Sequence, residues 1–208
     1  MLIKQSIRVK FASTTAPVDV VSEAAARLRP LFPVDDWMAQ RPMALAAVLV
    51  PLVDRPTGLT LLLTVRSAEL LDHPGQISFP GGRLEPQDRD AAAAALREAA
   101  EEIGLPADHV EVLGYLPAHM TLTGFAVTPV VAFVTPAFEF KLDTREVSQL
   151  IEIPLSFLLD SRNQLFEERE ISGRRLRLPV FTYDGHRVWG ATAIMLTDLC
   201  RHLARQAA

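Results

Sequence analysis

The longest apolar run, Met43 to Val53, carries neither helix caps nor helical spacing and predicts a buried strand. Arg55-Pro56-Thr57-Gly58 follows with turn chemistry, since Pro presets φ and Gly accepts positive φ. Leu59 to Val65 then returns as a second strand, so the pair reads as a hairpin. Ile77 to Phe79 is short and β-like, and Pro80-Gly81-Gly82 turns the chain sharply. Beyond it the period changes. Ala92, Leu96, Ala99 and Ile103 recur at helical spacing, and Glu98, Glu101 and Glu102 share a face roughly 140° away. The apolar face is built to pack on a sheet. Asp88 or Asp90 stands where it can cap this helix, and Gly104 where it can end it in the left-handed conformation.

Val110 to Tyr115 and Ala126 to Val134 read as further strands, the second interrupted by Pro129, which suits an edge or a bulge. Asp143-Thr144-Arg145-Glu146-Val147 opens a short segment leading to Ile151–Pro154, and residues 155–160 form a helical turn. Phe166 to Ile171 and Leu176 to Tyr183 flank Ser172-Gly173 as a hairpin. Gly190 to Gln206 is the last helix, with Ile194, Leu196, Leu199 and Leu203 as its apolar residues. Near the start, Val20 to Arg29 is helical, with Val21, Ala24, Ala25 and Leu28 on one face and Pro30 and Pro33 closing it. Residues 1–18 show no strong period and read as an extended arm or partner-contacting tail, which could support a homodimer. There is no internal repeat or low-complexity linker, because the alanine run before Leu96 is helix-forming.

Composition narrows the class. With 208 residues, 49% apolar and 22% charged, the chain suits a soluble globular protein of one domain, or of one domain with extensions. A net charge of −4 gives no footprint for nucleic acid or for an anionic membrane surface. No apolar run approaches the ~20 residues of a membrane span. Lys4, Arg8 and Lys10 are not followed by an apolar core, so the start is a poor secretory signal. Cys200 is the only cysteine, makes no internal disulfide and suits a reducing, cytoplasmic compartment; it reads as a buried helix residue.

The acidic face needs a further reason. Carboxylates near a helix C-terminus oppose the macrodipole, at about 0.3–1 kcal/mol each when exposed. Glu98 and Glu102 are also a like-charge i,i+4 pair. Arg97 relieves Glu101 at i+4, but one cation does not neutralise three anions. A hard divalent cation would, and so would simple solvation; the helix alone leaves both readings open.

The flanking residues add a resemblance. Gly82, Asp88, Arg97, Glu98, Glu101, Glu102 and Gly104 stand in the order of the Nudix box and resemble it, with Asp for the usual Glu and one extra residue before Arg97. Upstream, Leu62-Leu63-Thr64-Val65-Arg66-Ser67 and His73-Pro74-Gly75-Gln76-Ile77-Ser78-Phe79-Pro80-Gly81-Gly82 look like the extra signature of the coenzyme A diphosphatase branch. The lengthened box fits that branch; Leu71 stands where its signature usually has Arg. Thr121-Leu122-Thr123-Gly124-Phe125 is similar to a substrate-facing loop of the same branch. The resemblance runs from about residue 43 to about residue 199.

The resemblance implies an α/β Nudix fold, an α/β/α sandwich around a mixed β-sheet. Residues 1–40 would form an N-terminal arm and helix, and residues 41–208 the Nudix hydrolase domain. The implied reaction is hydrolysis of the diphosphate of coenzyme A or an acyl-CoA, giving adenosine 3′,5′-bisphosphate and the 4′-phosphopantetheine product. Mg²⁺ or Mn²⁺ would be held by Glu98, Glu101, Glu102 and the carbonyl of Gly81. A glutamate of this cluster, or Glu146, would accept the water's proton, although Glu146 reads equally as a helix-start carboxylate. Arg97 would orient a carboxylate. Arg66, Ser67, His73, Phe79, Gly82 and Thr123 are the candidate substrate contacts, with Phe79 also suited to the core. The alternatives are a diphosphatase for ADP-ribose or another nucleoside diphosphate derivative, and a Nudix module that senses a nucleotide without cleaving it.

Overall fold

The computed structural model describes residues 2–30, 34, 42–70, 73–171 and 173–205. Pro33, Leu71, Ser172 and the end of the last predicted helix at Gln206 lie outside the described residues.

The predicted hairpin forms the centre. β1 (Ala44–Arg55) and β2 (Gly58–Arg66) pair antiparallel, with Arg55 opposite Gly58. β1 also runs parallel to β7 (Phe125–Val134), which makes the sheet mixed. β3 (Ile77–Ser78) and β8 (Val147–Pro154) pair with β2, β4 (Gly81–Arg83) pairs with β1, and β5 (Val110–Tyr115) and β6 (His119–Met120) pair with β7. A second, three-stranded sheet has β9 (Leu165–Ile171), β10 (Arg174–Tyr183) and β11 (His186–Val188).

Helices cover both faces. α3 (Ala91–Ile103) lies on one, where Ala95, Ala99 and Ile103 meet Ala47, Leu49 and Val53 of β1. α1 (Leu2–Phe11), α4 (Leu155–Leu159) and α5 (Gly190–Ala204) lie on the other, where Phe11, Leu158 and Leu196 share a core with Ala46, Val50 and Leu52. Successive β1 side chains thus enter two different cores, which is why this strand reads as a continuous apolar run. α2 (Val20–Leu28) has Asp19 accepting from Ser22 N at 2.9 Å, and it buries Ala24 and Ala25 near Met120.

Several expectations change. Residues 1–18 are not simply extended: Leu2–Phe11 is helical, and Ile7 and Phe11 are buried in the main core. Their i,i+4 spacing is too short a pattern to stand out, and tertiary packing rather than propensity holds such a short helix. Pro80-Gly81-Gly82 is more than a turn, because Gly81 and Gly82 stand opposite Val48 and Ala47 as a short strand. Pro129 sits on an interior strand, opposite the break between β5 and β6, where its missing N–H leaves no central ladder bond unmade. No helix starts at Glu146; the residue closes a turn into β8. β6 and β11 had no predicted counterpart.

Candidate active site

α3 is fixed at both ends. Asp90 caps it, accepting from Ala93 N at 2.8 Å, and Gly104 ends it with φ +65°. Beyond Gly104 the chain returns to the helix end. Lys141 N donates to Ile103 O at 3.1 Å and Asp143 N to Glu102 O at 2.9 Å, so the returning segment satisfies carbonyls that a helix end leaves open. Glu146 is held by the same segment: its N–H donates to Asp143 O at 2.9 Å, and its carbonyl accepts from Ser67 N at 2.8 Å. The end of β2 and the end of α3 are thereby tied together through Glu146.

The two glycines bring β4 against α3. Gly81 has φ +151°, and a β-carbon there would collide with the backbone of Ala47 and Val48. A β-carbon on Gly82 would collide with the Glu98 carboxylate. Gly81 N donates to Glu102 Oε2 at 3.1 Å. Glycine at both positions is therefore what lets two carboxylates of α3 reach the strand.

The electrostatics of these carboxylates are unbalanced. Glu102 is only 5% exposed. Burial pushes its carboxyl up to about 8; the Gly81 hydrogen bond opposes this, the charges of Glu98 and Glu146 add to it, and Arg66 pulls it down. Glu98 is raised as well, first by burial, against the hydrogen bond from Arg97. Glu98, Glu102 and Glu146 thus repel one another at one end of the helix.

Arg97 ties the loop, the strand and the helix together. Its Nε and Nη2 reach both oxygens of Asp88 at 3.1 and 3.0 Å, Nη1 reaches Glu98 Oε1 at 3.0 Å and Glu101 Oε2 at 3.3 Å, and Nη2 also donates to Arg83 O at 3.0 Å. The Asp88 carboxyl is held below its ordinary value, chiefly by the Arg97 hydrogen bonds and then by the Glu85 N–H. The box Asp therefore does not cap the helix. It fixes Arg97, whose fork then aims Glu98.

The other candidates sort by position. Arg66 is close enough to Glu102 to favour its charge, and its N–H and C=O bond Gln76 and Gly75, which ties the upstream signature to β2. Glu101 lies farther out, with 60% of its side chain exposed. Ser67 is buried and accepts from Glu69 N at 3.3 Å. His73, with φ +58°, and Thr123, bonded to Thr121 at 3.0 Å, are on exposed loops. Phe79 is 2% exposed and belongs to the core, so its ring is not open to an adenine. Cys200 donates to Leu158 O at 3.2 Å, and burial pushes its thiol up to about 11, which suits a packing role.

The donor set is all hard oxygen. Among the described residues no three carboxylate, imidazole or thiol groups converge as a ready ion cage. The repulsion at Glu98 and Glu102 is nevertheless what one divalent cation would relieve, so the residues present fit such an ion chemically. No described helix is long and apolar enough to cross a membrane.

Comparison with known proteins follows the same residues. The family model described as NUDIX domain matches residues 43–176. A protein of Photorhabdus laumondii described as an uncharacterized Nudix hydrolase, NudL, is 38% identical over 158 residues, covering 76% of this chain and 84% of its own. The Escherichia coli K12 protein of the same description is 42% identical over 154 residues, covering 74% and 80%. Among solved structures, an Ap4A hydrolase of Caenorhabditis elegans aligns with TM-score 0.47 and 20% identity, over 53% of this chain and 80% of its own.

Proposed function

The chain belongs to the Nudix hydrolase family, and from that premise we propose that it is a divalent-metal-dependent diphosphatase whose substrate is coenzyme A or an acyl-CoA. The observation that carries the hydrolytic reading is the seating of the Glu98 and Glu102 carboxylates against the Gly81–Gly82 strand, with the charge of Glu146 close enough to raise both. The substrate reading rests on the resemblance of Arg66-Ser67 and His73–Gly82 to the coenzyme A branch.

Glu98, Glu102 and the Gly81 carbonyl are the residues that would hold Mg²⁺ or Mn²⁺, with Glu101 as an outer ligand. When bound, such an ion neutralises diphosphate oxygens and acidifies a water. The protein's own residues do the rest. Arg97, locked by Asp88, keeps Glu98 aimed at Gly82. Glu146 would accept the proton of the attacking water, since Glu98 and Glu102 would be taken up by the ion. One phosphorus–oxygen bond forms to the water and the bridging bond breaks, leaving adenosine 3′,5′-bisphosphate and 4′-phosphopantetheine. Arg66 meets an anionic part of the nucleotide, since a guanidinium binds phosphate well. His73 and Thr123 line the approach, Gly82 leaves it clear of a side chain, and the buried Ser67 shapes the strand end beneath it. The lone, packed Cys200 suits the cytoplasm.

The test is a panel of CoA, acyl-CoA, oxidised CoA, ADP-ribose and dinucleoside polyphosphates with Mg²⁺ or Mn²⁺, read by product mass. Phosphopantetheine release from the CoA compounds is expected. Intact CoA beside cleaved ADP-ribose would overturn the substrate assignment, and tight CoA binding without any product would overturn the hydrolytic one.

A further inference from the structure

Arg83 follows Gly82 directly, yet it takes no part in the carboxylate network through its side chain. Its carbonyl is pinned by Arg97 at 3.0 Å, and Arg97 in turn touches Glu98 at 3.0 Å. Two hydrogen bonds therefore separate its backbone from the candidate ion site. Strand alternation sends its side chain to the face opposite Gly82 and Glu98. There the guanidinium carbon lies 5.2 Å from the centre of the Phe125 ring. Phe125 closes the Thr121–Phe125 turn, its N–H donating to Thr121 Oγ1 at 3.1 Å and its carbonyl accepting from Thr121 N at 2.9 Å.

The contrast with the neighbouring arginines is informative. Arg97 spends its donors on Asp88, Glu98, Glu101 and Arg83 O, and Arg89 pairs with Asp90. The Arg83 guanidinium forms no ion pair among the described residues and is exposed. A cation held over a ring face spends none of its N–H donors on that contact, which leaves them for a phosphate. Gly82, next to Arg83 on the same strand, carries no side chain, and the place a β-carbon would take there lies against the Glu98 carboxylate.

We propose that Arg83, braced by Phe125, binds an anionic group of the substrate other than the diphosphate that is cleaved, and so sets substrate preference. The inference rests on the diphosphatase reading above; for coenzyme A the group would be the ribose 3′-phosphate. A solvated surface arginine is the ordinary alternative, and it predicts no preference among substrates.

The experiment compares CoA with dephospho-CoA in wild type, Arg83→Ala and Arg83→Lys, with melting curves to check that each variant folds. Arg83→Ala is expected to raise KM for CoA about 10- to 100-fold with kcat nearly unchanged, the size of a lost charged hydrogen bond. KM for dephospho-CoA should move by less than about threefold, and Arg83→Lys should restore part of the loss, because charge returns without the fork. Equal effects on both substrates, or none, overturn the role of Arg83 and leave the CoA reading standing. If CoA itself is not cleaved, the substrate reading fails; the same comparison with ADP-ribose and its 2′-phosphate then decides Arg83 by the same criteria, and turnover of neither pair overturns both.

Discussion

Replacing Glu102 by Gln should stabilise the metal-free protein, and only at high pH. In the fold this carboxyl is pushed from its ordinary 4.5 to about 8 by burial beside Glu98 and Glu146. Each decade of proton affinity is worth about 1.4 kcal/mol, so the ionised form costs at most roughly 5 kcal/mol. Below about 4.5 both folded and unfolded chains hold the proton and nothing is lost. Between about 4.5 and 8 the unfolded chain ionises first, and the wild type loses stability as pH rises through this window. Gln keeps the shape and removes the charge, but weakens the acceptor for Gly81 N. The expected net gain over wild type is about 1–3 kcal/mol near pH 8.5, falling to about zero near pH 4.5. Urea denaturation in a chelator, at both pH values, measures it. A difference that does not change with pH, or a Gln variant that is weaker at high pH, would refute the reasoning. The same variant should lose nearly all hydrolysis, which separates a functional charge from a stabilising one.

Four further outcomes follow from the same geometry. Mn²⁺ or Mg²⁺ should raise the melting temperature of the wild type more at about pH 8 than at about pH 5, and less in Glu98→Gln and Glu102→Gln, by calorimetry. Gly82→Ala should leave the fold intact but displace the Glu98 carboxylate, lowering kcat by about tenfold or more in a steady-state assay. Glu146→Gln should lower kcat by about 10²- to 10⁴-fold while Mn²⁺ affinity, read by titration, stays near wild type. Phe11→Ala should cost about 3–5 kcal/mol in urea denaturation, because the ring is fully buried between the N-terminal helix and the sheet.

Legibility in the sequence varied with the range of the signal. The hairpin of β1 and β2 and the helix Ala91–Ile103 were readable because turn residues, caps and apolar period agree locally. The roles of Gly81 and Gly82 were only half readable. A glycine pair announces a turn, whereas pairing with β1 and contact with Glu98 depend on residues far along the chain. Asp88 looked like a cap because it precedes a helix; its bond to Arg97 nine residues on appears only once the loop is folded. The N-terminal helix was missed because two buried residues, Ile7 and Phe11, make too brief a pattern. β11 did leave a signal: Asp184-Gly185, with φ +48° and +76°, is a strong hairpin dipeptide between Tyr183 and His186. The sequence left Glu146 open between a residue of the site and a helix-start carboxylate, since a carboxylate before an apolar run fits a helix start as well as a turn into a strand.

The most direct test of the central claim is the mass of the products formed from CoA in heavy-oxygen water with Mn²⁺. The account predicts adenosine 3′,5′-bisphosphate and 4′-phosphopantetheine, with one solvent oxygen in one of the two and no product from Glu102→Gln. Intact CoA, or cleavage that survives the loss of that glutamate, would contradict it.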